Sequence, residues 1–129
     1  MEKLSSEHSL EIIKDGETIY FSSGKWLMPL FDAAIFLRGR SDTASLKLHD
    51  RIQGRAAAAI TVAIGFRTVE VDLISERALS LYEMEGGVDV SFLEKTEKIE
   101  CMTETLITDE MSVTEVVSMI EKRAGRSLT

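Results

Sequence analysis

The stretch "LHDRIQGRAAAAI", Leu48 to Ile60, changes character at its centre. Before it, "ASLKLHD" reads as a short strand that ends on a His-Asp pair. From Gly54 to Ile64 almost every residue is apolar and most are small, and Gly65 follows where a helix C-cap would stand. A helix that is apolar on nearly all sides has no face for water, so it must lie buried between other elements. A strand that feeds a buried helix across Gly54 makes this an α/β chain.

The flanking sequence agrees. Upstream, "SLEIIKDGETIYFS" places β-prone runs on either side of Asp15-Gly16, a dipeptide that takes the φ > 0 conformations of a tight turn, so a hairpin is predicted over about residues 9 to 22. "WLMPLFDAAIFLRGR" puts Pro29 where a helix starts, with Leu30, Phe31, Ala34 and Leu37 on one side before Gly39. Downstream, "RTVEVDLI" alternates Val69, Val71 and Leu73 as a strand does, and Ser75 is placed to cap a helix running toward Gly86-Gly87. "VDVSFLE" is the next strand. Ser112-Val-Thr-Glu115 is a capping-box pattern opening a helix with Val113, Val116, Val117 and Ile120 as its apolar stripe, ending near Ala124. The expected fold is a three-layer α/β/α sandwich on a mixed sheet of about five strands, opening with the hairpin.

Composition sets bounds on function. A chain of 129 residues, 44% hydrophobic and 29% charged, fits a single domain spanning residues 1–129. The one cysteine, Cys101, has no internal disulfide partner, so a reducing cytoplasm is the expected location. No apolar run approaches the ~20 residues of a membrane span, and "MEKLSSEHS" lacks the order of a signal peptide. A net charge of −7 repels phosphate backbones, which argues against general nucleic-acid binding. The acidity is unevenly placed: Arg38, Arg40, Lys47, Arg51 and Arg55 face only Asp42 and Asp50 in one segment, which allows a local basic pocket.

With this element order, the chain resembles a small family built on a domain of unknown function with a cytidine-deaminase-like fold. The resemblance rests on "HSLEIIKDGETIYFS", "MPL" at the first helix, "HDRIQGRAAA" at the junction, "ISERAL" at the following helix and "CMTE" after the last strand. The family's form of the last element is Cys-Pro-Met-Glu; here Cys101 and Glu104 match, while Met102 and Thr103 depart from it. The resemblance implies that two helix starts meet where deaminases of this fold carry His-x-Glu (or Cys-x-Glu) and Pro-Cys-x-x-Cys, residues that hold zinc, activate water and shuttle its proton. This chain has Gly54-Arg55-Ala56 at the first position and one cysteine with Glu104 at the second. His49 is followed by Asp50 and Arg51, not by the spacing of a ligand and an acid. A catalytic zinc requires three protein ligands, so the expectation is a zinc-free domain with no metal and no cofactor.

Ligands in open α/β sheets collect near helix starts at the carboxyl ends of strands, where unpaired N–H groups favour anions. On this basis Gly54, Arg55 and Ser75 are candidate ligand-binding residues for a small anionic or nucleotide-like molecule. Gly54 would admit the group and Arg55 would add charge. Close packing of the buried helix is the competing explanation for Gly54 and the alanines, and helix capping the competing role for Ser75 and Asp50. Cys101, Glu104 and Asp50 are the candidate catalytic residues. A helix start favours the Cys101 thiolate while a nearby Glu104 opposes it, so either the two side chains point apart or Glu104 is a hydrogen-bonding or proton-transfer group. His49 and His8 read as structural or solvent-exposed. Three functions remain open: a zinc-free ligand-binding domain, a cysteine-dependent enzyme or redox sensor, and a partner-binding subunit, with a homo-oligomer allowed by analogy of fold.

Overall fold

Asp15 and Gly16 both take positive φ, 51° and 81°, and turn β1 (Leu10–Lys14) back onto β2 (Glu17–Ser22) as an antiparallel hairpin. The computed structural model describes residues 1–129. The hairpin continues through α1 (Met28–Leu37), β3 (Lys47–Gln53), α2 (Arg55–Ile64), β4 (Thr68–Ser75), α3 (Glu76–Glu85) and β5 (Asp89–Thr96), and the chain closes with α4 (Met102–Leu106) and α5 (Val113–Ala124). The five strands form a mixed sheet in the order β2-β1-β3-β4-β5, with β1 antiparallel to both neighbours and β3, β4 and β5 mutually parallel. β3 extends to Gln53, beyond the predicted "ASLKLHD", because its parallel pairing with β4 continues through Gln53 opposite Ile74.

The buried helix is confirmed. Every residue of α2 from Arg55 to Thr61 is buried, and Gly65 closes it at φ 110°. One core of 24 residues joins Leu10, Leu48, Val69 and Val71 of the sheet to α1, α2, α3 and α5. α5 begins with the predicted capping box, in which Ser112 Oγ accepts from Glu115 N and the Glu115 carboxylate from Ser112 N.

The expected third layer is not present. The crossovers β2-α1-β3, β3-α2-β4 and β4-α3-β5 all advance in the same direction across the sheet, and right-handed connections then place all three helices on one side. The opposite face carries Glu11, Lys47, His49, Glu70 and Asp72, tied together by Lys47 to Glu70 (2.8 Å) and His49 Nε2 to Asp72 Oδ1 (2.8 Å). The N-terminal segment lies on this face: Leu4 is buried, Leu4 N donates to Asp72 Oδ2 (3.1 Å), and Arg51 donates to the carbonyls of Ser5 and His8. This largely polar face is covered in part by the N-terminal segment and by no helix, which corrects the sandwich to a sheet with helices on one side. No helix is long and apolar enough to cross a membrane.

Candidate functional site

α2 starts without a cap from its own loop. Gly54, its N-cap residue, makes no side-chain cap, and the unpaired N–H groups of the first turn point to where α4 docks. Glu104, from the first turn of α4, fills that position. Its Oε1 accepts from Arg55 N (2.7 Å) and its Oε2 from Ala56 N (3.0 Å), and the side chain is buried. A carboxylate held by two N–H groups at the positive end of a helix is a strong cap.

This contact explains Gly54. Its φ of −96° suits any residue, yet a Cβ there would lie 2.4 Å from Glu104 Oε1 and 2.5 Å from Glu104 Cδ. The glycine is required by a close approach, and the approaching group is the chain's own Glu104 where a bound ligand was expected. The anion position expected at Gly54-Arg55 is therefore already filled.

Beside this contact lies a pocket of about 200 Å³, with seven of its ten lining residues hydrophobic. Trp26, Leu27, Ile52 and Ile99 give it apolar walls, with Ala56 and Ala57 contributed by α2. Gly54, Cys101, Thr103 and Glu104 complete it. Trp26 takes φ 58°, a conformation that is sterically unfavourable for a bulky side chain, and its Nε1–H donates to Thr103 Oγ1 (3.2 Å). The ring is held against the start of α4 while the residue as a whole stays 43% exposed.

The predicted site residues thus divide. Gly54, Cys101 and Glu104 meet at the pocket. Cys101 is half-buried and precedes α4 as its N-cap residue, without a side-chain cap bond. Glu104 and Cys101 are not engaged with each other, since both Glu104 oxygens are directed to α2. Ser75 caps α3 by accepting from Ala78 N (3.0 Å) and is fully buried away from the pocket. Arg55 is also buried, and its guanidinium leaves the junction to donate to the carbonyls of Arg77 and Asp109 (3.1 Å each).

Asp50 belongs to a separate buried network. It accepts from Gln53 Nε2 (3.0 Å), which also donates to Thr61 Oγ1 (3.0 Å), while Tyr82 Oη donates to Gln53 Oε1 and Thr61 donates to Ala57 O (2.8 Å). Burial pushes the Asp50 carboxyl up to about 7 against the opposing bond from Gln53, and burial likewise raises the Tyr82 hydroxyl. Asp50 caps no helix, and it does not line the pocket. No group of three or more His, Cys, Asp or Glu side chains is arranged to hold a metal ion.

Sequence reasoning missed Trp26 and Thr103 in the pocket and Gln53, Thr61 and Tyr82 around Asp50. Trp26 carried one usable signal, as the single tryptophan of the chain. The others depend on contacts between distant elements and left no local pattern.

The family model described as "TM1506: Domain of unknown function (DUF1893)" matches residues 1–123. The chain belongs to the DUF1893 family. Among solved structures it is similar to a DUF1893 family protein (TM1506) from Thermotoga maritima, with a TM-score of 0.78 and 22% sequence identity over 90% of this chain and 80% of that one. At that identity the similarity speaks for a shared DUF1893 fold. A search of curated proteins finds no match.

Proposed function

We propose that this DUF1893 domain binds a small, uncharged and largely apolar molecule in the pocket between α2 and α4, with Trp26 as its stacking surface. The observation that carries this is the pairing of an apolar pocket with an anion position already occupied by Glu104. An apolar cavity of roughly 150 Å³ accommodates benzene. A pocket of about 200 Å³ suits a ligand the size of a single ring, and its apolar lining favours a neutral molecule in place of the anionic or nucleotide-like one expected from sequence. Trp26 supplies a flat apolar face, and Thr103 and Cys101 supply the polar groups within reach of a bound ring.

The deaminase-like kinship is part of the same reading. Its support is that Gly54-Arg55 and Cys101-Glu104, the two positions the resemblance pairs, do meet through the Glu104 carboxylate. Zinc does not suit the residues there: both Glu104 oxygens are committed to backbone N–H groups, and Cys101 alone remains as a donor. We therefore read the domain as zinc-free, with Glu104 serving the fold where a deaminase would serve its metal.

The test uses the chain's own reporters. Trp26 is the single tryptophan, so its emission is read without background while a library of neutral single-ring compounds is titrated. A binder should quench or shift that emission and slow alkylation of Cys101, and Ile52→Phe, which narrows the pocket while leaving Trp26 the single tryptophan, should remove both effects. Binding that leaves Trp26 emission and Cys101 alkylation unchanged would place the ligand elsewhere and defeat the proposal.

A further inference from the structure

Arg55 and Arg77 converge outside the pocket on the loop between α4 and α5. Arg55 is 1% exposed; its Nη1 and Nη2 donate to carbonyls, but its Nε has no partner and the nearest carboxylate oxygen, Asp109 Oδ1, stands 3.8 Å away. Leaving a buried N–H unpaired is unfavourable, and more so on a charged group. Arg77 approaches the same oxygen, with Nε and Nη2 each 3.1 Å from Asp109 Oδ1, while Nη1 and Nη2 donate to the carbonyls of Glu104 and Ile107 (2.7 Å each). Glu104 Oε1 lies 4.0 Å from Arg77 Nη1, but that oxygen is already bonded to α2.

Asp109 is a poor match for this pair of guanidinium groups. Its side chain is 65% exposed, and the single oxygen that serves Arg77 stops short of Arg55 Nε. An exposed ion pair is weak, so the carboxylate can swing into solvent at little cost. A free oxyanion has several oxygens and can meet both guanidinium groups in the forked geometry arginine favours.

We infer that Arg55 Nε and Arg77 form a binding site for the oxyanion group of a small molecule, phosphate or carboxylate, and that Asp109 is a tethered occupant which that group displaces. The site is distinct from the apolar pocket and does not depend on the ligand proposed there. Its logic is competition: the intact chain binds oxyanions weakly because Asp109 is held nearby at high effective concentration, and removing that carboxylate strengthens binding.

The test compares the intact chain with Asp109→Ala and Asp109→Asn in thermal unfolding, titrating inorganic phosphate against chloride at constant ionic strength. Both variants should bind phosphate at least about ten-fold more tightly than the intact chain, seen as a midpoint that climbs with phosphate concentration. Asp109→Asn keeps the shape of the loop should the alanine variant unfold. Parallel titrations with phenyl phosphate and acetate distinguish free phosphate, a phosphate ester and a carboxylate as the preferred source. Adding Arg77→Lys should abolish the gain, because an ammonium cannot reproduce the fork. Equal responses to phosphate and chloride in both Asp109 variants would overturn the inference, as would a phosphate response untouched by Arg77→Lys.

Discussion

Replacing Gly54 with alanine isolates the contact on which the site is built. The new Cβ would stand 2.4 Å from Glu104 Oε1, where ordinary contact begins at 3.4 Å, so the carboxylate must retreat by about 1 Å. Hydrogen bonds of 2.7 and 3.0 Å to Arg55 N and Ala56 N do not survive that displacement. Each is a charge-assisted bond to a buried donor worth roughly 1.5–3 kcal/mol, so Gly54→Ala should cost about 3–6 kcal/mol. Glu104→Ala removes the same bonds and should cost a similar amount. The double variant should cost little more than Glu104→Ala alone, since alanine at 54 then meets no carboxylate and the remaining loss is about 1 kcal/mol of N-cap preference. Urea denaturation followed by circular dichroism measures all three, with an expected coupling near 3 kcal/mol. Additive costs would refute the reasoning, because they would mean that Gly54 is small for some reason other than admitting Glu104.

Other outcomes follow from the same structure. Asp50 has a native pKa of about 7 against 3.8 in the ordinary state, so between these values the folded chain holds a proton that the unfolded chain has released. Stability is therefore lost as pH rises through that window, by roughly 4 kcal/mol at most. Asp50→Asn should lack this slope, so its stability relative to the intact chain should rise from pH 4 to pH 8, and a difference constant with pH would contradict the assignment. Ser75→Ala removes the bond from Ala78 N at a buried cap and should lower stability by about 1–2 kcal/mol in the same denaturation assay. Gly65→Ala forces a side chain into φ 110° at the end of α2 and should cost about 1 kcal/mol or more by thermal unfolding, whereas a neutral result would mean that the helix end relaxes freely.

What was legible in the sequence was local. Asp15-Gly16, the Ser112–Glu115 capping box, the Ser75 cap and the small apolar residues from Ala56 to Ile60 each specify their structure within a few neighbours, and each is observed. The layer count failed because a strand's alternation shows that one face is polar without saying what covers it; His49 and Asp72 answer each other only once β3 and β4 are paired. The site was half legible. Gly54 and Glu104 were both marked as chemically interesting, but their meeting depends on α4, a five-residue helix too short to leave a periodic signal. The side chain of Arg55 was expected in the pocket and instead supports the loop after α4, a direction set by the carbonyls of Arg77 and Asp109.

The cap of α2 also has a temporal meaning. Arg55 and Glu104 are separated by 49 positions, and Ala56 and Glu104 by 48, so the most buried helix of the domain acquires its N-terminal partner only after β4, α3 and β5 have been laid down. Such a long-range contact forms only when the intervening chain is closed into a loop, at an entropic cost that the local bonds of the helix itself do not carry. This makes the segment around α4 the natural place for the native protein to open locally: its release would uncap α2 and unlatch Trp26 from Thr103 in a single motion, without disturbing the sheet. Amide exchange at Arg55 and Ala56 should then keep pace with exchange in α4, two regions far apart in the chain breathing as one.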